Sequence, residues 1–122
     1  MSGNAILLDT NIVLAILGGN KTLDEFIEGN IIYISFITEL ELLGFKNLSS
    51  QEEKAISSFI GDCRVIDINP AIKQYTIRIR KANKLKLPDS IVAATALYLE
   101  TPLLTADADF KAVKNLELIF YK

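Results

Sequence analysis

The chain has 122 residues, with 15 Asp and Glu against 13 Lys and Arg, no histidine and one cysteine. That length suits a single domain spanning 1–122, and a half-hydrophobic, 23% charged composition excludes disorder. Without histidine there is no imidazole general base, no histidine-bound zinc and no Ser-His-Asp triad. The lone Cys63 closes no intrachain disulfide and builds no thiolate cage, and it reads as a buried core thiol. A net charge of −2 gives no global nucleic-acid signature, although local patches can still bind one.

Ala5–Leu8 is a short apolar run suited to a central strand buried on both faces. Asp9 interrupts the apolar stretch and no basic segment precedes it, so the chain is expected to carry neither a signal peptide nor a membrane span and to be cytoplasmic. A helix over Asn11–Leu17 stops at Gly18-Gly19, and a second over Lys21–Glu28 stops at Gly29. Ile31–Ile34 reads as a strand, and Ser35 caps a helix reaching about Lys46. Ser50-Gln-Glu-Glu53 has capping-box spacing and opens a helix to about Ile60. Cys63–Ile68 is the third strand. Asn69-Pro70 pairs a cap with a first-turn proline and opens a helix to about Asn83. Leu87-Pro88 opens another, Asp89 to Leu99, whose Ala93, Ala94 and Ala96 allow close packing. Leu103–Thr105 is a strand, Asp107–Val113 a short helix and Leu116–Tyr121 a final strand. Alternating strands and helices predict an α/β fold: a three-layer α/β/α sandwich around a mainly parallel five-stranded sheet.

Acidic residues beside apolar runs are the chemical signal. Asp9, Glu41, Asp89, and Asp107 with Asp109 each abut hydrophobic sequence, where a carboxylate is costly unless hydrogen-bonded, paired or metal-bound. A hard divalent cation, Mg²⁺ or Mn²⁺, satisfies several carboxylates at once through oxygen ligands. In open parallel sheets ligands bind beyond the carboxyl ends of strands, and Asp9 and Asp107 each follow a strand directly. Singly, each acid has an ordinary explanation: Asp9 and Asp107 as helix caps, Asp89 as a first-turn residue favoured by the helix dipole, Glu41 as a solvated helix residue. Glu39 and Glu41 lie about 200° apart around one helix, so both cannot face one site. Glu41 shares a face with Ile37, Thr38 and Phe45, Glu39 with Ser35, Leu42 and Leu43, and periodicity leaves the choice between them open. Arg78, Arg80, Lys81, Lys84 and Lys86 form the densest basic stretch, readable as a solvated helix face or as RNA phosphate contacts.

Taken together, Asp9-Thr-Asn after an apolar strand, Ile-Thr-x-x-Glu41-Leu, Leu-Pro-Asp89-Ser-Ile-Val-Ala-Ala-Thr-Ala and Leu-Leu-Thr105-x-Asp107-x-Asp109-Phe resemble a PIN domain. More closely, the chain resembles the VapC-like toxins of type II toxin–antitoxin systems, from Leu7 to Phe110 in matching order. The resemblance implies that Asp9, Glu41, Asp89 and Asp107 are catalytic and ligate Mg²⁺ or Mn²⁺. It implies that Asp109 joins or supports them, Thr105 supports them, and Thr10 and Asn11 line the first loop; Glu39 falls at a variable position. It further implies an endoribonuclease that hydrolyses RNA with the ion's help, a cognate antitoxin and a homodimer. As the family has no base for the RNA 2′-hydroxyl, the resemblance also implies products with a 5′-phosphate and a 3′-hydroxyl. The alternatives are a housekeeping RNA-processing PIN nuclease, a non-catalytic PIN scaffold, or a phosphatase of the haloacid-dehalogenase type. That last class needs a second acid two residues after the first aspartate, where Asn11 stands here.

Overall fold

The computed structural model describes residues 4–121. Its strands are β1 (Ala5–Leu8), β2 (Ile31–Ser35), β3 (Arg64–Ile66), β4 (Leu103–Thr105) and β5 (Leu118–Phe120). They form one sheet in the order β3-β2-β1-β4-β5, with every neighbouring pair parallel. The helices are α1 (Thr10–Leu17), α2 (Lys21–Ile27), α3 (Phe36–Leu43), α4 (Ser50–Asp62), α5 (Pro70–Ala82) and α6 (Leu87–Leu99), with a 3₁₀ helix at Ala108–Ala112.

The strand period of two sorts the sheet's side chains into two cores. Leu7 and Leu103 pack on one face with Ile72 and Ile79 of α5 and Val92, Ala93, Ala94 and Ala96 of α6. Ile6, Leu8, Ile34 and Leu104 pack on the other with Ile12, Val13, Leu23, Leu42 and Ile56 of the first four helices. A strand covered on both faces needs no polar alternation, which is why β1 is a continuous apolar run. The small residues of α6 let it lie close to the sheet, and Ser90 through Ala96 are all buried.

Several boundaries shift from the sequence reading for local reasons. Helix α3 ends at Leu43, not near Lys46, because Gly44 closes it: its N–H donates to Leu40 O at 2.9 Å. A Cβ at Gly44 would stand 2.9 Å from that same carbonyl, so glycine is required there. The capping box is formed by Ser49 and Glu52, one residue before Ser50 and Glu53. The short helix after β4 is 3₁₀ and is capped by Asp107, while β3 and β5 are shorter than their apolar runs. Cys63 is half-buried beside the second core; burial first, then Asp62, pushes its thiol up to about 11, so it stays protonated. Among the described residues no helix is long and apolar enough to cross a membrane.

Leu7 is fully buried at the centre of the sheet. Leu7→Ala is expected to lower unfolding stability by about 2–5 kcal/mol, a large share of a small domain's total, as read from the midpoint of urea unfolding.

Candidate active site

Asp9 is the first residue beyond β1, and its position is tied to the neighbouring strand. Its N–H donates to Leu104 O at 3.0 Å, extending the β1–β4 ladder by one bond. Its carboxylate caps α1, Oδ1 accepting from the Thr10 N–H at 2.9 Å. Oδ2 accepts from the Thr105 hydroxyl at 2.7 Å and from Asn11 Nδ2 at 3.2 Å. Asn11 in turn accepts the Ala106 N–H on Oδ1 at 3.3 Å, which fastens the segment after β4 to the start of α1. Capping a helix and holding a site are therefore compatible roles for Asp9.

Thr105 works in two directions. While its hydroxyl donates to Asp9, its Oγ1 accepts from the Asp107 N–H at 3.0 Å, so one buried side chain spaces two acids. Asp107 caps the 3₁₀ helix by accepting the Asp109 N–H at 2.9 Å. Glu41 comes from the second turn of α3 and accepts the Thr10 hydroxyl, while Thr10 Oγ1 also lies 3.0 Å from Thr38 Oγ1. Asp89 stands in the first turn of α6, where the helix dipole favours a negative charge.

These four acids share a cleft of about 620 Å³, lined by Asp9, Thr10, Asn11, Leu14, Leu40, Glu41, Gly44, Phe45, Asp89 and Asp107. No cationic side chain is among them. Their mutual proximity is felt electrostatically. Burial raises the Asp9 carboxyl above its ordinary range, opposed by the Thr105 and Thr10 hydrogen bonds and assisted by the charges of Asp107 and Glu41. Burial pushes Asp89 up to about 6, with further upward pressure from Asp9, Asp107 and Glu41 and a smaller downward pull from Lys86. Among the described residues no three of the acids close into a ready-made ligand cage; they stand around an open cleft.

Several residues singled out from the sequence lie elsewhere. Asp109 is exposed and outside the cleft lining, its backbone serving the Asp107 cap. Glu39 is also outside the lining. The basic stretch does not act as one face: Arg78 lies over the Tyr75 ring at 5.9 Å, and Arg80 donates to Leu85 O at 3.3 Å. Arg78 lines a separate cavity of about 350 Å³ with Tyr75, Leu97 and Lys114, remote from the carboxylates in its lining. Lys81 and Lys84 are exposed and outside the cleft, and Lys86 is the basic residue whose charge reaches Asp89. Two features escaped the site as read from sequence: the apolar rim of Leu14, Leu40 and Phe45, and Thr38 behind Thr10. The signal for Thr38 was its place three residues before Glu41 on one helix face.

A PIN domain family model matches residues 6–116. Among solved structures, the chain is similar to VapBC2 from Rickettsia felis bound to a DNA fragment from their promoter, with a TM-score of 0.84 and 22% identity over 97% of this chain and 99% of that one. It is similar to a toxin–antitoxin complex from Klebsiella pneumoniae, at TM-score 0.79 and 28% identity over 93% and 95%. DNA-bound VapBC from Salmonella typhimurium gives 0.83 and 19% over 96% and 98%. A search of the curated proteins gave no match.

The raised Asp89 carboxyl has a thermodynamic consequence. Its value rises from 3.8 to about 6, so folding takes up a proton between those limits. In metal-free protein the Asp89 charge therefore opposes folding above about pH 6, and the penalty fades as pH falls toward about 4. Asp89→Asn is expected to raise the chelator-treated melting temperature at about pH 7.5, with a gain that shrinks toward zero by about pH 4. Thermal melts across that pH range check it.

Proposed function

The chain belongs to the PIN domain family, and from that premise we propose that it is a metal-dependent endoribonuclease acting as the toxin of a type II toxin–antitoxin pair. The observation that carries the reading is the convergence of Asp9, Glu41, Asp89 and Asp107, from four separate elements, on one cleft without a lining cation. Their donor set is all oxygen, and their electrostatic pressure on one another calls for positive charge, which fits Mg²⁺ or Mn²⁺. When bound, such an ion acidifies water and stabilises charge on phosphate oxygens. The protein's own part is to hold the four carboxylates at fixed points and to accept the attacking water's proton on one of them. Thr105 sets Asp9 and Asp107, and Thr10 sets Glu41. Lys86, whose charge is felt at Asp89, is the basic residue we assign to an RNA phosphate. Attack on phosphorus by an ion-activated water, in place of the RNA 2′-hydroxyl, would leave a 5′-phosphate and a 3′-hydroxyl.

The toxin assignment draws on the toxin–antitoxin complexes among the similar structures and on the protein's own surface. Leu40, Leu43, Phe45 and Phe26 are about half exposed, at 59%, 55%, 43% and 48%. Apolar surface of that kind on a small domain marks protein contacts, here an antitoxin segment near the cleft and a second copy of the chain. Expression of the gene alone is expected to arrest growth and co-expression of its antitoxin to restore it; a catalytically competent protein with no growth effect would instead be a housekeeping nuclease. Sedimentation at micromolar concentration is expected to show a dimer.

Asp9→Asn is expected to reduce RNA cleavage by on the order of a hundredfold or more. Its metal-free melting temperature should be unchanged or higher, since one repelling charge is gone. Cleavage by the wild type is expected to require Mg²⁺ or Mn²⁺ and to stop in EDTA, with full activity in EDTA removing the metal reading. Glu41→Gln is expected to be severe and Glu39→Gln mild, in parallel cleavage assays.

A further inference from the structure

Resting on the proposed metal site, we infer that Thr38 is a positioning residue that fixes the Glu41 carboxylate through Thr10. Thr10 Oγ1 sits within hydrogen-bond reach of both Glu41 Oε1 and Thr38 Oγ1. A threonine hydroxyl carries one proton, and an ionised carboxylate only accepts. The Thr10 proton therefore goes to Glu41, and the 3.0 Å contact with Thr38 is made by the Thr38 proton donating to Thr10 Oγ1. The chain of donors has one direction: Thr38 to Thr10 to Glu41.

Burial makes that direction hold. Thr38 is 0% exposed, so no solvent competes for its hydroxyl, whereas Glu41 lies on an exposed stretch of α3. A long exposed carboxylate carries rotamer freedom that an ordered site must remove. Thr38 and Glu41 are three residues apart on the same helix face, and Thr10 arrives from α1, so the relay also pins α3 to α1 at the cleft. Each hydrogen bond in the series polarises the next, and the bond to the carboxylate is charge-assisted. The arrangement parallels Thr105, whose buried hydroxyl likewise donates to Asp9. Groups that orient a ligand side chain without touching the cation typically alter cation affinity by about 10–100-fold when removed.

The test compares Thr38→Val, which keeps the branched shape and deletes the hydroxyl, with Thr38→Ser, which keeps the hydroxyl. Mn²⁺ binding to the full chain is measured by calorimetry, and kcat and KM by RNA cleavage. Thr38→Val is expected to bind Mn²⁺ about tenfold more weakly and to lose kcat with KM for RNA little changed, while Thr38→Ser stays near wild type. In a Glu41→Gln background Thr38→Val should add no further loss of Mn²⁺ affinity, because Thr38 acts only through Glu41. Wild-type Mn²⁺ affinity in a folded Thr38→Val protein overturns the inference, as does a loss that simply adds to that of Glu41→Gln. If Thr38→Val fails to fold, Thr10→Val decides in its place, from a partly exposed position: unaltered Mn²⁺ affinity there breaks the relay. A wild-type chain that binds no Mn²⁺ refutes the metal site itself, and is told apart because no variant need be compared.

Discussion

Repulsion among carboxylates gathered at one edge of the sheet is the constraint that organises this molecule. Four acids face a common cleft with no lining cation; burial first, and then the charges of the neighbouring acids, push Asp9 and Asp89 upward. Such a cluster survives folding only if its members are held by something other than opposite charge. Here Asp9, Glu41 and Asp107 are held by hydroxyls, one amide and backbone N–H groups, which lower the cost of a carboxylate without neutralising the cleft's negative field.

The rest of the fold supplies the rigidity this requires. Leu7 and Leu8 fix β1 between two cores, so the residue that follows it cannot wander. The parallel register of β1 with β4 sets Asp9 against Thr105, 96 residues later, at 2.7 Å. Gly44 ends α3 just beyond Glu41, where a Cβ would press on the Leu40 carbonyl, and it forms part of the cleft wall. Packing, helix termination and site geometry are thus one set of facts on this edge of the sheet.

Much of this was legible in the sequence because the relevant signals are local. The apolar runs of β1 and β2, the Asn69-Pro70 start of α5 and the Ser35 cap of α3 each depend on neighbouring residues alone. Where signals were degenerate the reading slipped: Ser49-Ser50 and Glu52-Glu53 offer two capping boxes of equal spacing, and the chain forms the first. Side-chain destinations were least legible. Arg78, Arg80 and Lys86 look alike as charges in a row, yet Arg78 turns to an aromatic ring and Arg80 to a backbone carbonyl, while the charge of Lys86 is felt at Asp89. Asp109 shares the spacing of a ligand but faces solvent, because Asp107 uses the Asp109 N–H for its own cap. Thr38 was visible as a face-mate of Glu41, but its role depends on Thr10, 28 residues away, a relation that periodicity does not encode.

The strand order has a consequence for how the chain comes into being. β1 occupies the centre of the sheet, but one of its two neighbours, β4, is the fourth of the five described strands in chain order. During synthesis the β1–β2–β3 side and its four helices can assemble from local contacts while β1 still presents an open edge. Asp9 then lacks its Thr105 donor, Asp107 has yet to emerge, and the cleft has three of its four acids. A nascent chain short of β4 therefore carries all six helices and an unfinished acidic cleft, which is completed only once β4 and the Asp107 segment have joined the sheet.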